Sequence, residues 1–387
     1  MNTSRTRRWA LLSASAVGAA LSVAGVCTAP VQQAFAYLAA FGFLASSMVG
    51  ALALLAMTSV VGARWFVVLR RSCLAVATPA SILPLLFLPI AWTLHSVYPW
   101  AGSPLASADA IAAARRAQAF GHPWMSAGPY LLRSAVYLVV WLAIAEALRH
   151  AARAQDRGQR AWGKRAAAIS AAALPVLGLT GSWAAFDWLM SAVPGWSMTS
   201  VGLYVLTGGF ASALGLLAVV VDHARRNHVL PAEVGAAHSL ALGRLLFAAV
   251  CLWAYIAVSQ LIIVWIANLP REAAFYVPRA RGGFRSLAAL LTLGHFIVPF
   301  LLLLSRRWKE HSGFVAVVGS WIVLMHAVDL YWLIAPAATA SPSVFALGPF
   351  LLLGAFAVGT GLFRSSSDKP LALRDPELAR SLGYESP

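Results

Sequence analysis

Acidic residues are scarce in this sequence: 13 Asp and Glu stand against 29 Lys and Arg, and residues of either charge make up only 11% of the 387. A chain that is 60% hydrophobic with so little charge cannot build an ordinary water-facing surface, which excludes a soluble globular domain of this size. Cysteine is nearly absent. Cys27, Cys73 and Cys251 lie far apart without paired spacing, which argues against a disulfide framework, a zinc site or an iron–sulfur cluster in this chain. Any electron carrier therefore belongs to another subunit. A single basic patch is also lacking, because the net charge of +16 is divided into short groups between apolar runs. That division is topological and does not point to nucleic acid. Ser, His and Asp are scattered over apolar segments with no elbow or Gly-rich loop to hold them, so no soluble catalytic constellation is present.

What is present is a series of long apolar runs. Ten spans are expected, at about Trp9 to Thr28, Ala34 to Gly62, Cys73 to Tyr98, Gly128 to His150, Ala166 to Val193, Met198 to Asp222, His238 to Asn268, Ser286 to Leu304, Phe314 to Ala335 and Val344 to Phe363. Each is close to or above the length that crosses ~30 Å of hydrocarbon at ~1.5 Å per residue. The chain thus reads as an all-α integral membrane protein, with a transmembrane domain over residues 1–364 and a polar, mobile or partner-bound tail over 365–387. Arg5, Arg7 and Arg8, then Arg64, Arg70 and Arg71, then the run from Arg149 to Arg165, Arg225 and Arg226, Arg306 to Lys309, and the tail lie on alternate connections. That asymmetry places both termini in the cytoplasm. The basic start and apolar middle of Arg5 to Ala29 also describe a secretory signal, but the apolar run exceeds the usual 7 to 15 residues, and a retained span is expected. Ser107 to Phe120 reads as an interfacial helix or a solvated loop helix. The loop from Pro270 to Arg285 carries Arg271, Arg279, Arg281 and Arg285 on the outer side, against the charge rule, so a partner protein or anionic lipid is expected to cover it.

Within the spans, polar residues are few and costly. Asp187, in the run Trp183 to Ser191, lies inside the fifth span, where a carboxylate at mid-membrane costs roughly 2.5 to 3.5 kcal/mol by insertion scales. It therefore requires a partner or a wet cavity. Two readings stay open: an ion pair that holds helices together, and a site that moves a proton or recognises a polar ligand. Counting from helix ends at ~1.5 Å per residue puts Arg133 and Asp187 at one level, roughly 8 to 9 Å below the outer edge, with Asp329 competing for the same arginine. Glu146 and Arg244 form a second candidate pair near the inner edge. His295 and His326 share a middle level, so they are either neutral core histidines or the two axial ligands of a b-type haem. His326 and Asp329, three residues apart, share a helix face, where the carboxylate can orient the ring. Tyr255 and Ser259 form one stripe of the seventh span, and Trp253 and Gln260 another. Together with His95 outward and Asp222 and His238 inward, these groups make a series able to relay protons.

Several of these runs resemble one family. Trp183 to Tyr204 (WAAFDWLMSAVPGWSMTSVGLY), Leu245 to Pro270, His295 to Arg306 (HFIVPFLLLLSR) and His326 to Pro336 (HAVDLYWLIAP) resemble the F subunit of alternative complex III, related to the NrfD-like polysulfide-reductase membrane family. Gly62 to Arg71 and Leu88 to Pro99 are similar too. The resemblance implies about ten helices in a four-helix-bundle arrangement, in a multisubunit complex of the bacterial inner membrane that oxidises quinol. Haem and iron–sulfur clusters would then sit in partner subunits, with no cofactor held directly by this one and no metal. It implies proton-path duty for Asp187, His295, His326 and Asp329. Quinol itself is the alternative ligand, under aromatic walls such as Trp183, Trp188 and Tyr255, and a stand-alone secondary transporter is a further alternative. Two stretches depart from the family pattern: Val193-Pro194-Gly195 where Glu-Pro-His is expected, and Leu240 to Arg244 where His-Asp-Leu-Gly-Lys is expected.

Overall fold

A computed structural model describes residues 2–102, 123–159, 161–365, 371 and 375–385. Among them are ten helices long and apolar enough to cross a membrane: α1 Trp9–Thr28, α2 Pro30–Val60, α3 Arg64–Trp92, α4 Ala127–Asp156, α5 Trp162–Ala192, α6 Val201–Arg226, α7 Ala236–Ala267, α8 Gly282–Leu304, α9 Ser312–Ala337 and α10 Val344–Arg364. Each corresponds to an expected span. No strand occurs among the described residues. The interfacial helix expected at Ser107 to Phe120 lies outside them.

Hydropathy alone does not order the helices in space, but small residues do. α2 is the most enclosed, because its Ala, Gly and Ser residues let neighbours approach on several sides. It packs against α3, α5, α6, α9 and α10. A Cβ placed on Gly50 of α2 would lie 2.6 Å from the Gly209 carbonyl oxygen of α6, and one on Gly215 of α6 would lie 2.5 Å from that of Gly319 in α9. These are backbone-to-backbone seams. α4 packs against α5, and α7 against α6, α8 and α9. α1 and α10 pack against each other at the edge through Gly18 and Gly348.

Three helices are irregular. α3 begins earlier than expected and is broken, winding as a 3-10 helix over Arg64–Leu69 and again over Thr78–Ile82. Pro79 stands at the start of the second segment, where its missing N–H interrupts the regular ladder. α5 and α8 each contain a π-helical turn, at Ala185–Leu189 and Thr292–Ile297. Such turns insert an extra residue and occur often at functional positions.

Of the tail, for which a mobile or partner-bound end was expected, residues 375–385 are described and make contacts with the chain itself. Asp375 accepts from Arg70 at 2.7 Å, Glu377 pairs with Arg64 at 3.5 Å, and the buried Ser381 carbonyl lies 2.9 Å from His238 Nε2. Ser381 Oγ also accepts from the Val68 N–H.

Candidate functional site

Asp187 sits in the π turn of α5 and is buried. The guanidinium of Arg133 on α4 grips it with two bonds, Nε to Oδ2 at 2.8 Å and Nη2 to Oδ1 at 2.9 Å, and the Tyr137 hydroxyl donates to Oδ2 at 2.8 Å. Arg133 and Tyr137 are four residues apart, so one face of α4 supplies all three donors. Arg133 also donates to the Trp124 carbonyl at 2.8 Å and stacks 4.1 Å over the Trp124 ring. The carboxylate is thus fully compensated. A bidentate pair of this kind fixes geometry and leaves little freedom to exchange a proton partner.

Asp329 on α9 does not compete for that arginine. It is entirely buried, accepts from the Tyr204 hydroxyl of α6 at 2.5 Å and from the Trp253 indole N–H of α7 at 3.3 Å, and makes no ion pair among the described residues. Its donors are neutral. Trp253 also stacks on His295 with ring centroids 3.8 Å apart, so a single indole joins the carboxylate to the imidazole held in the π turn of α8. His326 is 6.4 Å from His295, centroid to centroid, and its Nε2 lies 2.9 Å from Ser46 Oγ of α2. Ser46 therefore orients His326, where Asp329 was expected to do so. Both nitrogens of His295 and the Nδ1 of His326 have no protein partner, and both rings are wholly buried.

The two imidazoles do not fit a b-type haem. Gly208 lies so close to His326 that an added Cβ would stand 2.6 Å from Nδ1, Ser46 occupies the other nitrogen, and Trp253 covers the face of His295. A porphyrin between the rings would overlap α6 and the indole. Among the described residues no group of three or more His, Cys, Asp and Glu is placed to hold a metal ion.

Other expected site residues lie elsewhere. Glu146 pairs with Arg364 of α10 at 2.7 Å and not with Arg244, because α4 packs against α5 while α7 packs in another part of the molecule. Arg244 is on an exposed face of α7 and interacts electrostatically with Lys309. Gln260 accepts from Ser200 at 2.9 Å. Trp183 and Tyr255 are 49% and 66% exposed, on outward faces, so neither walls an interior site. Trp188 is buried and donates to Ser134 at 2.9 Å. Asp222 pairs with Arg226 at 2.7 Å, and His95 is exposed.

Sequence reasoning missed Tyr137, Tyr204 and Ser46 as partners, and it placed Arg279 on the surface. One signal was available. Asp187 and Asp329 each precede a proline by seven residues, Pro194 and Pro336, and both prolines line one cleft. Arg279 is only 2% exposed beneath that cleft, donating to the Phe275 carbonyl at 2.5 Å and to the Leu333 carbonyl. No protein-family model matches the sequence, and no curated protein is significantly similar to it.

Proposed function

We propose that this chain is a non-haem membrane subunit of a quinol-oxidising respiratory complex of the alternative complex III type, and that its buried cluster around Asp329 carries protons within the membrane. The observation that carries the reading is the environment of Asp329. A carboxylate sealed from water and held only by a phenol and an indole, next to imidazoles with three unpartnered ring nitrogens, can take up and give back a proton without breaking an ion pair. Asp187, which the resemblance also nominates, serves as the structural clamp between α4 and α5.

The helix contacts support two four-helix groups, α2 to α5 and α6 to α9, joined through α2 and α6 with α1 and α10 at the side. The positive charge on alternate connections supports cytoplasmic termini in a bacterial inner membrane. Sister membrane, iron–sulfur and c-type haem subunits would be the partners. The reading in which this subunit binds quinol gains no support from the apolar cleft of about 190 Å³ at Gly50, Leu177, Thr207 and Phe210, because neither histidine nor Asp187 lines it.

The test is Asp329→Asn in the assembled complex, with quinol oxidation and proton release measured together in vesicles. Retained electron transfer with proton release reduced at least severalfold is expected. Unchanged proton stoichiometry would refute the relay. Affinity purification of the tagged subunit without haem and iron–sulfur proteins would refute membership of the complex.

A further inference from the structure

We propose that the cleft over Arg279 is a binding site for the head group of an anionic phospholipid. The cleft holds about 320 Å³ and is formed by the connections that follow α5 and α7 together with the end of α9. Its walls are apolar and aromatic: Val193, Pro194, Trp196, Phe275 and Pro278, with the Trp196 and Phe275 rings stacked at 4.5 Å and 17°. Among the described residues that line it, the one cation is Arg279.

That cation lacks a counter-charge. Arg279 donates to two backbone carbonyls and lies 3.5 Å over the Phe275 ring and 5.7 Å from the Trp332 ring centroid, while its Nε has no partner. Among the described residues no carboxylate pairs with it. A guanidinium offers five N–H donors, and a buried charge that meets only carbonyl dipoles and ring faces remains uncompensated. An anion entering the cleft supplies the missing charge. Phosphate suits this geometry, since its oxygens match the fork of the guanidinium.

The surroundings select a lipid as the source. Leu269 and Val277, of the same connection as Arg279, are 50% and 44% exposed, and Arg281 and, in the first turn of α8, Arg285 are exposed as well. Exposed apolar side chains able to meet acyl chains, exposed arginines near in sequence and a buried guanidinium suit an amphiphile better than a free anion. The site is independent of the proton relay and stands whether or not the chain belongs to a respiratory complex.

The experiment is native mass spectrometry of the detergent-purified full chain with added phosphatidylglycerol, with inorganic phosphate as a second arm. Two variants are compared: Arg279→Gln, which removes the charge, and Ala337→Phe, which fills the cleft and leaves Arg279 in place. Tight phosphatidylglycerol adducts on the native chain, weakened at least tenfold in both variants, are expected. Should Arg279→Gln fail to fold, Ala337→Phe alone decides. Adducts unaffected by Ala337→Phe would overturn the proposal, as would inorganic phosphate competing at concentrations comparable to the lipid.

Discussion

Asp187 and Asp329 occupy matched positions, each seven residues before a proline of the same cleft, yet one is clamped by a guanidinium and the other only by neutral donors. Equivalent local sequence therefore serves two purposes. The first carboxylate spends its charge on fixing α4 to α5, and the second, on the proposed reading, is the one that exchanges a proton. Mutations at the two positions should separate stability from proton handling.

Arg133→Met would strand the Asp187 carboxylate. Removing one partner of a buried ion pair costs about 3 to 5 kcal/mol, whereas removing both for apolar residues of similar size is far milder. Denaturation of Arg133→Met and of the Arg133→Met, Asp187→Leu double variant in mixed micelles should show the single change as the more damaging.

Tyr204→Phe deletes the shorter of the two bonds to Asp329 without changing shape. A loss of roughly 1 to 3 kcal/mol is expected for a buried acceptor deprived of its donor. Proton release in the assembled complex should fall in parallel, and a variant with wild-type release would show that the phenol is only structural.

Gly215→Val would force a side chain into the seam with Gly319, where an added Cβ already lies 2.5 Å from a backbone oxygen. Overpacking of this kind costs typically 1 to 3 kcal/mol or more, since backbone has to move. Reduced yield of monodisperse protein and a lowered melting temperature by scattering-monitored unfolding are expected, while Gly178→Ala, at a glycine with open space around it, should be tolerated.

Burial pushes Arg279 well below the ordinary arginine value, down to about 9. Between those values the unfolded chain binds the proton and the folded chain does not, so the cost of burying this charge, present below about 9, is relieved as pH rises through that window. Phosphatidylglycerol binding should change in the opposite sense, weakening as pH rises from 7.5 to 10. Binding assays at both ends, with Arg279→Gln as the pH-insensitive control, measure it.

Deleting residues 375–387 would uncover the His238 and Arg70 contacts. The Arg64–Glu377 pair is largely exposed and worth little, so the loss should come mainly from the buried Ser381 backbone and hydroxyl. Hydrogen exchange should speed up at the start of α3 and of α7, with the spans beyond them unchanged.

Much of this was legible in the sequence because the rise of a helix is fixed: the number of spans, their approximate positions and the pairing of Arg133 with Asp187 follow from counting. Depth does not give direction around the helix axis. Asp329 meets Tyr204 and Trp253 and does not pair with Arg133, and Trp183 and Tyr255 face outward. The π turns in α5 and α8 make this harder, since an inserted residue rotates everything beyond it. Glu146 paired with Arg364 for a related reason: matching depth cannot tell which helices are neighbours. The tail was read by its polarity, yet a few backbone and hydroxyl contacts sufficed to seat it. Nothing in the composition of the Pro270 to Arg285 loop marks Arg279 as the arginine that turns inward.

The glycine seams also bear on how anything could cross this molecule. With α2, α6 and α9 in contact backbone to backbone, sliding or tilting one against another would collide main chains before a passage opened. An alternating-access carrier needs such rocking. The proposed relay would need no such opening, since hydrogen ions would hop between stationary side chains.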